Sequence, residues 1–204
     1  SHYDYWQDRV KRCILCESGA DIILYGMGAK SILQLCKDIN ENKPIGDIHN
    51  IPQTVFLAKE ENIPNGITGE DIVLHSHEKC LHDKKAEAEN FRHIEEESNK
   101  IHAQRLIQQV DDVYTVVNPP YPTLTTDELD AYYDLPYTRL PHPKYKNKRI
   151  PAYEMIKFSV NIHQGCFGGC AFCTISAHQG KFVVCRSKKS ILNEVKKNRR
   201  DARF

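Results

Sequence analysis

Apolar positions in this chain fall into short runs that alternate with turn-rich text, the pattern of an α/β protein. Trp6, Val10, Cys13 and Ile14 lie near one helical face with Asp8, Arg9 and Arg12 off it, which predicts an amphipathic helix over Trp6 to Glu17, closed by Gly19. Asp21 to Tyr25 then reads as a strand, Gly26-Met27-Gly28 as a turn, and Ser31 as the N-cap of a helix ending near Ile39. Such a strand–glycine turn–helix unit is characteristic of open α/β sheets. Gln53 to Lys59 is a second strand, and Ile72 to Leu74 a short apolar run. Glu78 to Val110 reads as a long polar helix with a thin stripe of Phe91, Ile94, Ile101 and Leu106, followed by a strand over Asp112 to Val117. Thr126 is the expected N-cap of a helix reaching Tyr132. Met155 to His163 alternates Ile156, Phe158, Val160 and Ile162 with polar residues, the period of a strand with one face buried. Phe182 to Arg186 is a further strand, and Ser187 to Asn198 a helix.

Composition narrows the class. The chain has 204 residues, 40% hydrophobic and 27% charged, with a formal net charge of +1, so no strong field favours nucleic acid or acidic lipid. No apolar run is long enough to span a membrane. Eight cysteines fall short of a disulfide scaffold and fit a reducing compartment, so a cytoplasmic location is expected. Between Asn118 and Pro151 prolines and tyrosines crowd together, which predicts an ordered strap rather than a loose linker. Its basic residues Arg139, Lys144, Lys146, Lys148 and Arg149 lie among tyrosines and allow an RNA contact, although a solvated strap is the commoner outcome.

The candidate chemistry lies in Cys166-Phe167-Gly168-Gly169-Cys170-Ala171-Phe172-Cys173, a C-x3-C-x2-C loop. Gly165 frees the backbone to turn, and Gly168 and Gly169 let the loop curl around an inorganic core. Three thiolates within eight residues suit zinc or iron. Three readings stand on the spacing: an iron–sulfur cluster with one open iron, a zinc knuckle completed by His163 or His178, and free thiols with no metal. Other motifs are weaker. Cys13-x2-Cys16 reads as two small buried or half-buried residues in a helix, His75 to His82 as a solvated helix start, and Gly26-x-Gly28 lacks the third glycine of a nucleotide fingerprint.

The loop spacing, with an aromatic residue before the third cysteine, resembles the radical S-adenosylmethionine (SAM) superfamily. The match narrows along the chain through His2-Tyr-Asp-Tyr-Trp6, Asn118-Pro-Pro-x-Pro-x-Leu-Thr, Leu135-Pro-Tyr-Thr-Arg139, Pro141-His-Pro143, Ile150-Pro-Ala152, His178-Gln-Gly180 and Arg186-Ser187. Together these resemble the YgiQ-type radical SAM proteins. The resemblance implies that Cys166, Cys170 and Cys173 hold a [4Fe–4S] cluster whose open iron takes SAM, which is reductively cleaved to a 5′-deoxyadenosyl radical. It implies Phe172 beside the adenine, with His178 and Arg186 as polar cofactor neighbours. It implies an electron donor as partner, and leaves the substrate and the oligomeric state open. The expected architecture is part of an open, cobalamin-binding-like α/β domain (residues 1–115), a Pro/Tyr-rich strap (116–153) and the first strands of a partial (β/α) radical SAM barrel (154–204). Ala29 and Gln164 depart from the acidic and basic residues usual at those points. No Asp-x-His-x-x-Gly stretch occurs, so cobalamin binding is not implied. From Glu154 about 50 residues remain, against about 250 for a full barrel, so a piece of a longer protein is expected. The alternative from a different class is a zinc-knuckle RNA-binding module.

Overall fold

In a computed structural model, residues 1–201 are described, with side chains to 198; the last three residues of the expected 154–204 segment lie outside the described residues. The chain divides into two compact units. One comprises Ser1–Pro122 with Gly169–Lys181; the other comprises Thr123–Gly168 with the described residues from Phe182 onward.

The first unit is built on a mixed sheet of five strands in the order β3-β4-β7-β6-β5. These are β3 (Ile22–Leu24), β4 (Thr54–Ala58), β5 (Ile72–Leu74), β6 (Leu106–Val110) and β7 (Val113–Val117), with β1 (His2–Asp4) and β2 (Arg9–Lys11) forming a separate hairpin. Only β5 and β6 run parallel. Their crossover is α3 (His77–His82) and α4 (Lys84–Ser98), as a parallel pair requires. Helices α1 (Ile14–Ser18) and α2 (Ala29–Asn40) precede β3 and β4 respectively. Phe56, Ala58, Ile63, Ile107 and Val116 form one buried cluster, and Leu35, Ile48 and Ile51 another. The α/β class expected from the sequence is what the chain adopts, though in a mixed sheet whose pairings are mostly antiparallel.

Several expected elements differ, each for a physical reason. The helix over Trp6 to Glu17 is replaced by the β1–β2 hairpin and the short α1. The Asp4 carboxylate accepts the Trp6 and Gln7 N–H groups at 3.0 and 3.1 Å and so competes with helix formation, leaving Trp6 exposed. Gly28, not Ser31, precedes α2, and Ser31 is buried inside that helix with its hydroxyl donating to the Pro52 carbonyl at 3.0 Å. The long polar helix ends at Ser98, and Leu106–Val110 becomes β6, because a two-residue turn at Asp111–Asp112 pairs Val110 with Val113. Phe91 and Ile101 of the expected stripe are exposed, whereas Ala86, Asn90 and Glu97 face inward. Polar satisfaction decides that face: Asn90 Nδ2 donates to the His75 carbonyl at 3.0 Å, and its Oδ1 accepts the His75 N–H at 2.8 Å.

The second unit contains α5 (Thr126–Tyr133), α6 (Pro151–Ile156), β8 (His163–Gln164), β9 (Val184–Cys185) and α8 (Lys188–Asp201). Thr125, one residue before the expected cap, closes α5 through a reciprocal capping box with Glu128. The strand expected over Met155 to His163 is largely absent. Pro151 opens α6 at its first turn, where a missing N–H costs nothing, and Met155 and Ile156 finish that helix exposed. Among the described residues only β9 pairs with β8, so the backbone upstream of Ile162 has no ladder partner: the Ser159 N–H turns back to the Ile156 carbonyl, and the Asn161 carbonyl accepts the Arg186 guanidinium.

The crossover in the first unit depends on Arg105 at the start of β6. Its Nε and one Nη each donate at 2.8 Å to the Asp71 carboxylate, while the guanidinium also reaches the Pro64 and Gly66 carbonyls at 3.0 and 2.8 Å. The Arg105 hydrogen bonds, against the opposing effect of burial, hold the Asp71 carboxyl below its ordinary value. A depressed carboxyl gives stability that is complete above the unfolded value of about pH 4 and is lost as pH falls through the lower folded value. Asp71→Asn should therefore cost about 2 kcal/mol at pH 7 and flatten the acid limb below about pH 4, measured as urea midpoints across pH. An unchanged acid limb in the variant would remove the pair from this role.

Candidate functional site

The cysteine loop begins where the β8–β9 ladder ends. His163 pairs with Cys185 and Gln164 with Val184, and the Arg186 N–H extends the ladder to the Ile162 carbonyl at 2.9 Å. Gly165 follows with φ +84°, a backbone angle costly for any side chain, and turns the chain away from the strand. Cys166 is half-buried and its Sγ accepts the Gly168 N–H at 3.4 Å. In the other compact unit Cys170 is exposed and Cys173 half-buried, and the Cys173 N–H donates to the Cys170 carbonyl at 3.0 Å. Phe167 and Phe172 point into solvent at 88% and 91% exposure.

All eight cysteines are free thiols. Among the described residues no group of three or more His, Cys, Asp or Glu side chains is gathered so as to hold a metal ion, and neither His163 nor His178 supplies one. The donor set nonetheless fits a thiophilic group by its chemistry. Three unpaired thiols share one glycine-containing loop, and a Cβ placed on Gly169 would meet nothing within 4 Å.

Arg186, expected as a polar neighbour of a cofactor, is 5% exposed and fully engaged within its own unit. It donates to the Asn161 carbonyl and the Ser190 hydroxyl, each at 2.8 Å, forms an ion pair with Glu194, and its guanidinium lies 4.1 Å from the centre of the Tyr133 ring. Glu194 also accepts from Arg139 at 2.8 Å, so one carboxylate serves two guanidiniums. Nearby, Asp130 accepts the Ser187 N–H at 3.0 Å. Burial acts to raise the Asp130 carboxyl, but the Ser187 bonds and the Arg186 charge outweigh it and hold it below its ordinary value. This clamp ties α5, β9 and α8 together. Of this group the sequence marked Arg186 with Ser187, and Arg139 only as part of the basic strap; Glu194 and Ser190, one turn apart on α8, carried the further signal.

His178 is exposed in α7 (Ile175–Gln179), which precedes Gly180. The weaker motifs are structural. Cys13 and Cys16 are both half-buried as expected, with Cys16 Sγ 3.9 Å from the Thr115 hydroxyl. In the His75 to His82 run, His75 is bound to Glu89 at 2.7 Å. Cys80 is buried, and burial followed by the Glu87 carboxylate pushes its thiol up to about 11.

Residues 1–159 match a family model described as Radical SAM N-terminal. The chain is 62% identical over 208 residues to a UPF0313 protein of Bacteroides thetaiotaomicron, covering 96% of this chain and 33% of that protein. It is 52% identical over 196 residues to a UPF0313 protein of Porphyromonas gingivalis (96% and 31%) and 35% identical over 247 residues to the UPF0313 protein YgiQ of Escherichia coli K12 (96% and 33%). The chain thus spans about a third of the length of the curated relatives it matches. No solved structure matches it.

The clamp yields a direct expectation. Arg186→Met strips Glu194 of its more buried partner and leaves the Asn161 carbonyl unsatisfied, so it should cost about 3 kcal/mol, read from a urea or thermal melt of the purified protein. A loss under about 0.5 kcal/mol would show the network to be dispensable.

Proposed function

This chain belongs to the Radical SAM N-terminal family and is of the UPF0313, YgiQ-like type, and from that we propose that it carries the cluster-binding loop of a radical SAM enzyme. The observation that carries the reading is the set of three free thiols, Cys166, Cys170 and Cys173, on one loop of a chain of that family. As thiolates they would hold a [4Fe–4S] cluster by three irons, and three ligands rather than four leave a position open for SAM. A cluster held by these three thiolates would supply the electron for reductive cleavage of SAM.

This chain's own residues have separable parts in the proposal. Phe172, with its side chain exposed, would offer an apolar face for the adenine. His178 stands on the same loop segment as a polar neighbour. Arg186 acts through the clamp to Asn161, Ser190 and Glu194, holding the strand pair from which the loop departs. Residues 1–115 are read as the later part of an N-terminal α/β domain, 116–153 as the strap, and 154–204 as the start of a barrel. Completion of the SAM site, the substrate and the electron donor then belong to the rest of a protein about three times as long.

Anaerobic reconstitution of the full-length protein with iron and sulfide tests this. The wild type should take up about four irons and four sulfides per chain, and Cys173→Ala should lose most of them. Equal iron in the two proteins would overturn the ligand assignment. One tightly held zinc per chain as purified, with no iron uptake, would replace the reading with the zinc-knuckle module.

A further inference from the structure

Two sequence features that supply no cluster ligand in the proposed chemistry meet in the first compact unit. One is the Gly26-Met27-Gly28 turn after β3; the other is the His178-Gln179-Gly180 run at the end of α7. Residues 169–181, which include Cys170 and Cys173, belong to the same unit as the five-stranded sheet.

The turn is built for close approach. Gly26 has φ +61°, and a Cβ placed on it would lie 3.2 Å from Gln53 Nε2 and 4.0 Å from the His178 carbonyl oxygen. Gln53 cannot easily retreat. Its Nε2 donates to the Tyr25 carbonyl at 2.6 Å and its N–H to the Pro119 carbonyl at 2.8 Å. The turn therefore presents bare backbone to a held amide, against which a Cβ would be tight, while the His178 carbonyl would stand at ordinary contact distance from it.

A point of attachment lies just past the same segment's helix. Lys181 Nζ is 2.7 Å from Glu95 Oε2 on α4, with the two side chains 21% and 48% exposed. Lys181 and Glu95 are 86 residues apart in sequence, so the pair joins elements that local structure would not bring together.

We infer that the α/β unit is a positioning seat for the thiol-bearing segment: Glu95, by its ion pair with Lys181, holds residues 169–181 and with them Cys170 and Cys173, on a path where a side chain at Gly26 would just reach the His178 carbonyl. Glu95 is a positioning residue and touches no reacting atom. The seat exists whether or not the loop takes up a cluster. Its ion pair is an exposed one, which makes the segment's release a low-barrier, salt-sensitive opening rather than an unfolding of the sheet.

The test uses the full-length protein, iron-free and reduced, with iodoacetamide labelling of Cys173 followed by mass spectrometry. Cys36, exposed on α2, serves as the reference for reagent, and buried Cys80 as the reporter of global unfolding. Glu95→Lys and Lys181→Glu should each raise the Cys173 rate about two- to five-fold, the range an exposed ion pair supports. The Glu95→Lys/Lys181→Glu double exchange should return it to the wild-type rate. Single reversals without effect, a double exchange that fails to restore, or a Cys80 rate rising in step with Cys173 would each overturn the seat. Iron uptake plays no part in the readout, so failure of the cluster assignment and failure of the seat are told apart.

Discussion

The organisation of the first unit depends on how the backbone is satisfied just after β7. Asn118 Nδ2 lies within hydrogen-bonding reach of the His49 and Ile51 carbonyls and the Thr54 hydroxyl, at 2.8, 3.0 and 3.1 Å. Its own carbonyl accepts the Tyr25 hydroxyl at 2.6 Å, and burial raises the phenol so that it stays protonated and can donate. One residue thus stitches the end of β3, the loop before β4 and the exit of β7. Buried carbonyls in an irregular loop would otherwise each cost roughly 1–3 kcal/mol, so the loop's path is dictated by where this amide can reach. Gln53 takes its left-handed angle of φ +63° within this knot and thereby frames the Gly26 turn.

What was legible in the sequence follows from which forces are local. The strands expected over Asp21–Tyr25, Gln53–Lys59 and Asp112–Val117, and the helix expected over Ser187–Asn198, announce themselves by their local apolar pattern, and an element formed within or across each span. Elements decided by a side chain's reach to distant backbone did not. Asp4 captured the N–H groups that a helix over Trp6 would have used, and Asn90 chose the buried face of α4 against its apolar stripe. The alternation from Met155 to His163 is real but idle, since a strand needs a neighbour and the ladder reaches only to Ile162. At the candidate site, the thiol spacing was plain in the sequence. The engagement of Arg186 by Glu194, Ser190 and Asn161 required the strand pair and α8 to be in place first.

The second unit shows how a small unit with few buried apolar side chains sets its geometry by charge. Leu129 is fully buried, but the neighbouring interior is occupied by Arg186, Ser190 and Glu194. Such a network contributes little net stability against an apolar equivalent and a large penalty when one member is lost. Directionality is what it offers: a guanidinium stacked on Tyr133 and bonded on three sides admits few orientations of β9 against α5 and α8.

The path of the chain between Gln164 and Val184 has a consequence for how the molecule can be taken apart. It leaves the second unit after Gly168, contributes residues 169–181 to the first, and returns at Phe182. Neither unit is therefore a continuous stretch of sequence, and no single cut yields either of them whole. A truncation after Pro122 removes part of the first unit along with the second, and its loss of stability measures an absent piece rather than the autonomy of the remainder. The same threading makes assembly non-local, since 169–181 can dock only after everything up to it has been made.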